Sequence, residues 1–237
     1  MLSHVKLSCR MQTVADMVDE ASVVDIGCDH AYVSIYLREK NITNKVIAMD
    51  VKKGPLQIAK SNVSMYGYDS SIDVRLSNGF RALEVGEAEC AIIAGMGGML
   101  IIDILRNASA HIEAGIHLVL QPQSDICEVR KYLQEINYTI VKEKMLIEEG
   151  KYYNVLKAVP AKYNKTMVLS KEELLYGKYL IDSKDEVLRL YLNNKLDKNE
   201  TVINKLVNQD TDSSKTRIKE LCDENIIIKS VLGKFDM

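Results

Sequence analysis

Val23-Val24-Asp25-Ile26-Gly27-Cys28-Asp29-His30 is the stretch on which the fold turns. Two β-branched residues lead into an acid, an apolar residue and a glycine, and Ala31 to Lys40 then has the pattern of a helix. That order reads as strand, tight turn and helix, the unit at which open α/β sheets hold nucleotide-like ligands. The second and third glycines of a dinucleotide fingerprint are absent. Asp29 and Ala31 stand roughly where they would be, so the ligand is one that tolerates their loss.

Outward from this unit, strands and helices alternate. A short helix over Thr13–Glu20 precedes it, with Val14, Met17 and Val18 at helical spacing. Strand patterns follow at Lys45–Met49, Ile72–Leu76, Cys90–Ala94 and His117–Gln121. Between them lie helix patterns at Pro55–Tyr66, with Pro55 in its first turn, and at Met99–Ala108. Ser124–Ile136 is another, with Ser124 as its cap. Such alternation predicts a parallel sheet with helices on both faces. Tyr138–Glu148 and Tyr152–Val159 then form two strand-like runs with only Glu149-Gly150 as a turn. A terminal antiparallel hairpin on a parallel sheet is allowed but distinctive, and a dinucleotide dehydrogenase would continue with βα units instead.

From about residue 162 the strand patterns stop. Leu174, Leu180, Leu188, Leu192, Leu196, Ile203 and Leu206 recur at helical spacing. After a polar break at Asp210–Ser214, so do Ile218, Leu221, Ile228 and Leu232. The expected arrangement is a coiled-coil-like helical hairpin. The domain boundaries read as 1–161 for a catalytic sheet domain and 162–237 for a helical domain.

Composition narrows the function. The 237 residues are 47% hydrophobic and 27% charged, a globular profile. No apolar run reaches the ~18 residues that span a bilayer, and Met1 to Arg10 lacks the apolar core of a secretory signal. The expected location is the cytoplasm. Five scattered cysteines without a C-x-x-C argue against a disulfide framework or a zinc site, and no metal is expected. Net charge is −2, which excludes a strongly basic nucleic-acid binder but not a local basic face. Residues 162–237 carry 14 Lys+Arg against 13 Asp+Glu, so the first part carries the remaining 17 against 20.

Four loops at predicted strand ends carry the chemistry. Gly27 lets backbone approach a ligand closely. Asp25 and Asp29 would repel a pyrophosphate but suit the ammonium and sulfonium of S-adenosylmethionine, which has no phosphate. Asp50 ends the second strand, about 20 residues beyond the glycine turn, where an acid binds ribose hydroxyls. Ser77-Asn78-Gly79-Phe80 can meet an adenine edge, and reads equally well as a turn. Ala94-Gly95-Met96-Gly97-Gly98 puts three glycines in four residues at the end of a central strand. It differs from the D/N-P-P-Y loop of amino-methyltransferases that act on DNA.

The first half resembles the class I S-adenosylmethionine-dependent methyltransferase fold, a Rossmann-like seven-stranded sheet with a terminal antiparallel hairpin. Together, Asp25-Ile26-Gly27-Cys28-Asp29-His30-Ala31-Tyr32, Ala94-Gly95-Met96-Gly97-Gly98 and Leu118-Val119-Leu120-Gln121-Pro122 resemble the TrmK-like bacterial tRNA methyltransferases. Leu7-Ser8-Cys9-Arg10 is similar to that family's opening, where a basic residue often replaces Cys9. Two positions depart from the family: Gly177-Lys178 stands where Gly-Pro is usual, and Ser34 where Pro is common.

The resemblance implies transfer of a methyl group from S-adenosylmethionine to N1 of the adenine at position 22 of tRNA. The cofactor set it implies comprises Asp25, Gly27, Cys28, Asp29 and His30 on the first loop, and Asp50 and Val51 on the second. Asn78 and Gly79 follow on the third, and Ala94, Gly95, Met96 and Gly97 on the fourth. Asp29 is the catalytic candidate, as a carboxylate that stabilises the cationic product ring, though it could equally bind the methionine ammonium. His30 reads as a ligand contact or a helix-start residue. Gln121 is placed to read the adenine edge. Lys6 and Arg10, with basic residues of the helical extension, are placed to hold phosphates; without the resemblance those lysines read as a solvated face. Cys90 reads as packing. The partners implied are tRNA and no membrane, with the chain a monomer or weak dimer. Other readings are a methyltransferase for another RNA or a small molecule, a non-catalytic S-adenosylmethionine-binding module, and an NAD oxidoreductase, which the missing glycines disfavour.

Overall fold

The computed structural model describes residues 4–161, 168–209 and 211–236. The chain divides into two compact units, Met1–Val168 and Leu169–Met237. The boundary expected at 161/162 adjoins residues 162–167, which lie outside the described residues.

The first unit is built on a seven-stranded sheet. Its strands are β1 (Ser22–Ile26), β2 (Lys45–Asp50), β3 (Ile72–Leu76), β4 (Cys90–Met96), β5 (His117–Pro122), β6 (Tyr138–Glu148) and β7 (Lys151–Pro160). Their order is β3-β2-β1-β4-β5-β7-β6. The first five are parallel, with Val24 opposite Ile47 on one side and Ala91 on the other. β7 is antiparallel to β5 and β6. Val23, Val24, Ile47, Ile92, Ile93 and Leu118 to Leu120 are buried almost completely, as central parallel strands covered on both faces require. Each such side chain contributes roughly 1.5–3 kcal/mol of burial. Strand order reverses between β1 and β4, and the carboxyl ends of these strands form the crevice in which such sheets bind ligands. Glu149 and Gly150 both take positive φ, 50° and 74°, and close the expected hairpin with a tight turn.

The helices of this unit are α1 (Cys9–Ala15), α2 (Tyr32–Glu39), α3 (Lys53–Met65), α4 (Gly98–Arg106), α5 (Ser109–Glu113) and α6 (Ile126–Glu135). Two expectations need correction. The first helix starts at Cys9 rather than Thr13, because the Ser8 side chain caps it by accepting the Met11 N–H. It ends at Ala15, so Met17 and Val18 are buried from a turn. Ser124 does not cap α6. The cap residue is Asp125, in the left-handed region at φ 53° with no side-chain cap bond, because Ser124 serves another loop described below. Cys90 is fully buried, and burial pushes its thiol well above the ordinary range.

The second unit is helical: α7 (Lys171–Tyr176), α8 (Lys178–Asp182), α9 (Glu186–Leu206) and α10 (Asp212–Phe235). Ser170 and Glu173 form a reciprocal capping box on α7. Gly177, at φ 89°, separates α7 from α8, and Lys178 opens α8 with an ion pair to Asp182 at 2.8 Å. α9 and α10 run antiparallel, with Arg189 donating to the Phe235 carbonyl and Asn199 to Asn225. Leu188, Leu192, Leu221, Ile228 and Val231 form the buried seam. It is interrupted by the buried Asn199–Asn225 pair, the kind of polar contact that fixes register between helices.

Candidate active site

The first loop keeps the backbone shape of a glycine-rich turn although two glycines are gone. Gly27 has φ 78°, Asp29 φ 50° and Ala31 φ 60°. Asp29 and Ala31 therefore adopt the left-handed conformation at a cost of roughly 1–2 kcal/mol each, and strain of this kind gathers at ligand sites. The surrounding structure fixes it. The N–H groups of Gly27 and Cys28 both donate to the Met49 carbonyl, at 2.7 and 2.9 Å, and Ala31 N–H donates to Cys28 O at 2.8 Å. Asp29 N–H donates to Asp50 Oδ2 at 3.2 Å. From α3, the Asn62 amide donates to the His30 carbonyl at 2.9 Å.

Two clefts of about 420 and 480 Å³ open at the carboxyl edge and share Gly27, Asp29, Ala94 and Gly95. The first runs over β2 and β3. Asp50, Val51, Asn78, Gly79 and Met96 line it. So do Phe80, the last residue of the Ser77–Phe80 stretch, and Leu100, which was not foreseen because an apolar residue at the start of a helix carries no distinctive signal. The second cleft runs toward the N-terminal segment and is lined by Lys6, Arg10, Asp25, Cys28, His30 and Gln123 among others.

Asp25 is 5% exposed. Burial raises its carboxyl to about 6, against an opposing hydrogen bond from Ser34 and with a further push from Asp50. Ser34 Oγ donates to Asp25 Oδ2 at 2.7 Å, so the residue standing where Pro is common provides this acid with its partner. Burial and the neighbouring carboxylates of Asp25, Asp50 and Asp29 push the Cys28 thiol well above its ordinary value, so it is no nucleophile. Asp29 lies where the clefts meet, its side chain 70% exposed and 3.6 Å from His30 Nε2. The His30 ring makes an edge-on contact with Tyr32.

The Ala94–Gly98 loop is tied to the end of β5. Gln123 N–H donates to Met96 O at 2.8 Å, and Gly98 N–H to Ser124 O at 3.2 Å and to its Oγ at 3.3 Å. A Cβ on Gly98 would lie 2.4 Å from Ser124 O, and one on Gly97 3.3 Å from Ser124 Oγ. Ser124 thus anchors this loop, which is why it does not cap α6. At Gly27 the methyl of Met96 occupies the Cβ position, but that side chain can swing, so the positive φ is the stricter demand for glycine.

Two sequence expectations change here. Gln121 does not face a ligand. It is fully buried; its Oε1 accepts from Gly95 N–H at 3.0 Å and Arg10 Nη1 at 2.8 Å, and its Nε2 donates to Pro122 O at 3.3 Å. Arg10 is not a free phosphate ligand either. Its guanidinium lies 5.1 Å from the Tyr153 ring centre and 3.5 Å from Glu148, while its backbone N–H donates to Glu148 at 2.9 Å. Gln121 holds the Gly95 backbone and Arg10 holds Gln121. Lys6 remains exposed at the rim.

The arrangement suits a nucleoside carrying positive charge. Three acids, Asp25, Asp29 and Asp50, surround the first loop and oppose phosphate. Among the described residues, the Asp50 carboxylate accepts only from Asp29 N–H and Lys52 N–H, so two of its roughly four acceptor sites remain for ribose hydroxyls. Among the described residues, no group of three or more His, Cys, Asp or Glu is arranged to hold a metal ion, and no helix is long and apolar enough to cross a membrane. A further cleft of about 540 Å³ lies at the amino edge of the sheet. There Glu20 joins His117 and the buried Lys157, and a hydrogen bond from Lys157 holds Asp19 down at about 2. Those acids are satisfied by cations of the chain itself, at the sheet edge opposite to where such folds bind ligands.

A family model described as tRNA (adenine(22)-N(1))-methyltransferase, TrmK, matches residues 23–226. The Bacillus subtilis (strain 168) tRNA (adenine(22)-N(1))-methyltransferase is 32% identical over 235 residues, covering 98% of this chain and 99% of that protein. Among solved structures, Streptococcus pneumoniae Sp1610 in complex with S-adenosyl-L-methionine is 31% identical with a TM-score of 0.83, over 96% of this chain and 100% of that one. M. capricolum TrmK in complex with the cofactor product S-adenosyl-homocysteine is 25% identical with a TM-score of 0.81, over 97% and 99%.

Proposed function

This chain belongs to the TrmK family of tRNA (adenine(22)-N(1))-methyltransferases, and from that premise we propose how its residues share the reaction. The enzyme transfers a methyl group from S-adenosylmethionine to N1 of adenine 22 in tRNA. The readings as an NAD oxidoreductase, a small-molecule methyltransferase and a non-catalytic module are set aside. With its tRNA substrate, the chain works in the cytoplasm as a monomer or weak dimer.

When bound, S-adenosylmethionine supplies a methyl group on a positively charged sulfur, which a neutral ring nitrogen accepts without first losing a proton. Asp50 takes the ribose hydroxyls, and Asn78 and Gly79 border the adenine. Asp25 faces the methionine ammonium from the buried end of the first loop. The backbone of Gly27 and of Ala94 to Met96 forms the walls, with Gly97 behind them against Ser124, Cys28 as apolar lining and Val51 at the rim. The acceptor base enters the second cleft, where Lys6 and His30 border it. Alignment within about 3 Å is the main contribution, since little acid–base help is needed. Asp29, at the junction of the clefts, stabilises the positive charge that grows on the acceptor ring.

The observation that carries this reading is the position of Asp29 on a strained loop shared by both clefts. The test incubates the protein with unmodified tRNA and S-adenosylmethionine and maps the methylated base by nuclease digestion and mass spectrometry. N1-methyladenosine at position 22 alone is expected. Because Asp29 is largely exposed, its electrostatic contribution is modest, and Asp29→Asn is expected to lower kcat roughly tenfold. A change only in the KM for S-adenosylmethionine would remove Asp29 from the chemical step.

A further inference from the structure

The end of β4 offers the acceptor base no polar side chain. Ala94-Gly95-Met96 presents backbone and one thioether to the clefts. The amide expected to read the base, Gln121, is fully buried beneath Gly95. Two residues further along, the chain turns back to the surface. Gln123 is exposed and lines the same cleft as Asp29, His30 and Gly95. Its Nε2 lies 3.9 Å from the point where a Cβ of Gly95 would stand, beside Arg10 Nη1 at 3.8 Å, at a glycine that lines both clefts. Its backbone is fixed by Pro122 before it, by its N–H bond to Met96 O, and by the Ser124–Gly98 contact after it. Its side chain makes no hydrogen bond to another described residue, so a free amide is held on a rigid mount beside the methyl-transfer point. That is the support a specificity contact needs.

We propose that Gln123 is the residue that orients the acceptor adenine, by pairing its side-chain amide with N6 and N7 of the base. The proposal rests on the reading that the second cleft receives adenine 22. A glutamine amide matches adenine on this edge: its oxygen accepts from the N6 amino group and its nitrogen donates to N7. Held by N6 and N7, the base keeps N1 unencumbered, and N1 is the atom that must point at the donor. A contact to N1 itself would block the reaction. The buried Gln121 then acts as a positioning residue, holding Gly95 and Arg10 under the base.

The test uses the full-length chain and two tRNA substrates, with adenosine or 7-deazaadenosine at position 22. The second lacks the N7 acceptor but keeps N1 and N6. For the wild-type protein, kcat/KM is expected to fall roughly 2- to 12-fold on the 7-deaza substrate, the value of the single hydrogen bond to N7. Gln123→Ala, which removes both bonds, is expected to lose roughly 5- to 150-fold on adenosine and to be slowed no further when 7-deazaadenosine replaces adenosine, with S-adenosylmethionine binding by calorimetry unchanged. Equal wild-type rates on the two substrates would overturn the assignment without needing the variant. So would full activity of Gln123→Ala, or loss of its cofactor binding, which a merely structural role would produce. Absence of N1-methyladenosine when the wild-type chain is given the adenosine substrate would overturn the reading of the reaction and this proposal together.

Discussion

Gly98→Ala is expected to lower kcat/KM by at least about a hundredfold, the scale of a 1 Å displacement in an active site. It is also expected to cost roughly 1–3 kcal/mol of stability or more. The reason is space rather than backbone conformation. The added Cβ would stand 2.4 Å from Ser124 O and 3.0 Å from both Asp125 Cβ and Asp125 O. These atoms belong to the backbone, or are fixed to it, in a loop that cannot retreat. Ser124 accepts the Gly98 N–H, and Gln123 N–H is bonded to Met96. Separating the two loops to admit a methyl group breaks these bonds and moves Gly95 and Met96, which line the site. Gly54→Ala is the control. A Cβ there meets nothing within 4 Å, and position 54 lies in the first turn of α3, so a change of no more than about 1 kcal/mol in stability is expected. Thermal unfolding and steady-state methylation of both variants check the pair. If Gly98→Ala keeps wild-type kcat/KM, the loop contacts do not set the geometry of transfer.

The architecture was legible because its signals are local and repeated. Apolar strand runs separated by helical patterns, then two runs without a helix, led to the parallel strands and terminal hairpin that the seven-stranded sheet has. The first loop was legible for a different reason. Its shape is set by backbone, and Gly27 marked where it begins. What the residues alone did not reveal is that Asp29 and Ala31 keep a conformation that glycines usually supply. Their φ angles are imposed by Met49, Asp50 and Asn62, which come from the next strand and helix. Gln121 and Gln123 show the limit most clearly. Gln121 lies in β5 and Gln123 just beyond it, and a strand period of two would put their side chains on the same face. The turn after Pro122 sends one amide inward to Gly95 and leaves the other at the cleft. Arg10 misled for a similar reason: its ion partner, Glu148, is 138 residues away in sequence. Local pattern cannot find a neutralised charge of that kind.

Asp25→Asn is expected to raise the stability of the ligand-free protein near neutral pH while weakening S-adenosylmethionine binding roughly 10- to 150-fold. The second figure is the value of a hydrogen bond to a charged partner. The folded protein holds the Asp25 carboxyl at about 6 against an ordinary value of 3.8. Folding therefore favours the protonated acid, and its contribution to stability is full below pH 4 and is lost as pH rises through about 6. At pH 7 the ionised group is a burden of about 3 kcal/mol, because burial outweighs the Ser34 hydrogen bond. Asparagine has the same shape, still accepts from Ser34 Oγ, and carries no charge to bury. A bound ammonium reverses the balance, since it meets a carboxylate already stripped of water, where the attraction is strongest. Cofactor affinity should therefore tighten as pH rises from 5 to 7 in the wild-type chain, with a midpoint near 6, and stay flat in Asp25→Asn. Calorimetric titrations and melting curves across that range measure both effects. A variant that melts lower at pH 7 and binds the cofactor with the wild-type pH profile would show that Asp25 holds the loop together rather than the ligand.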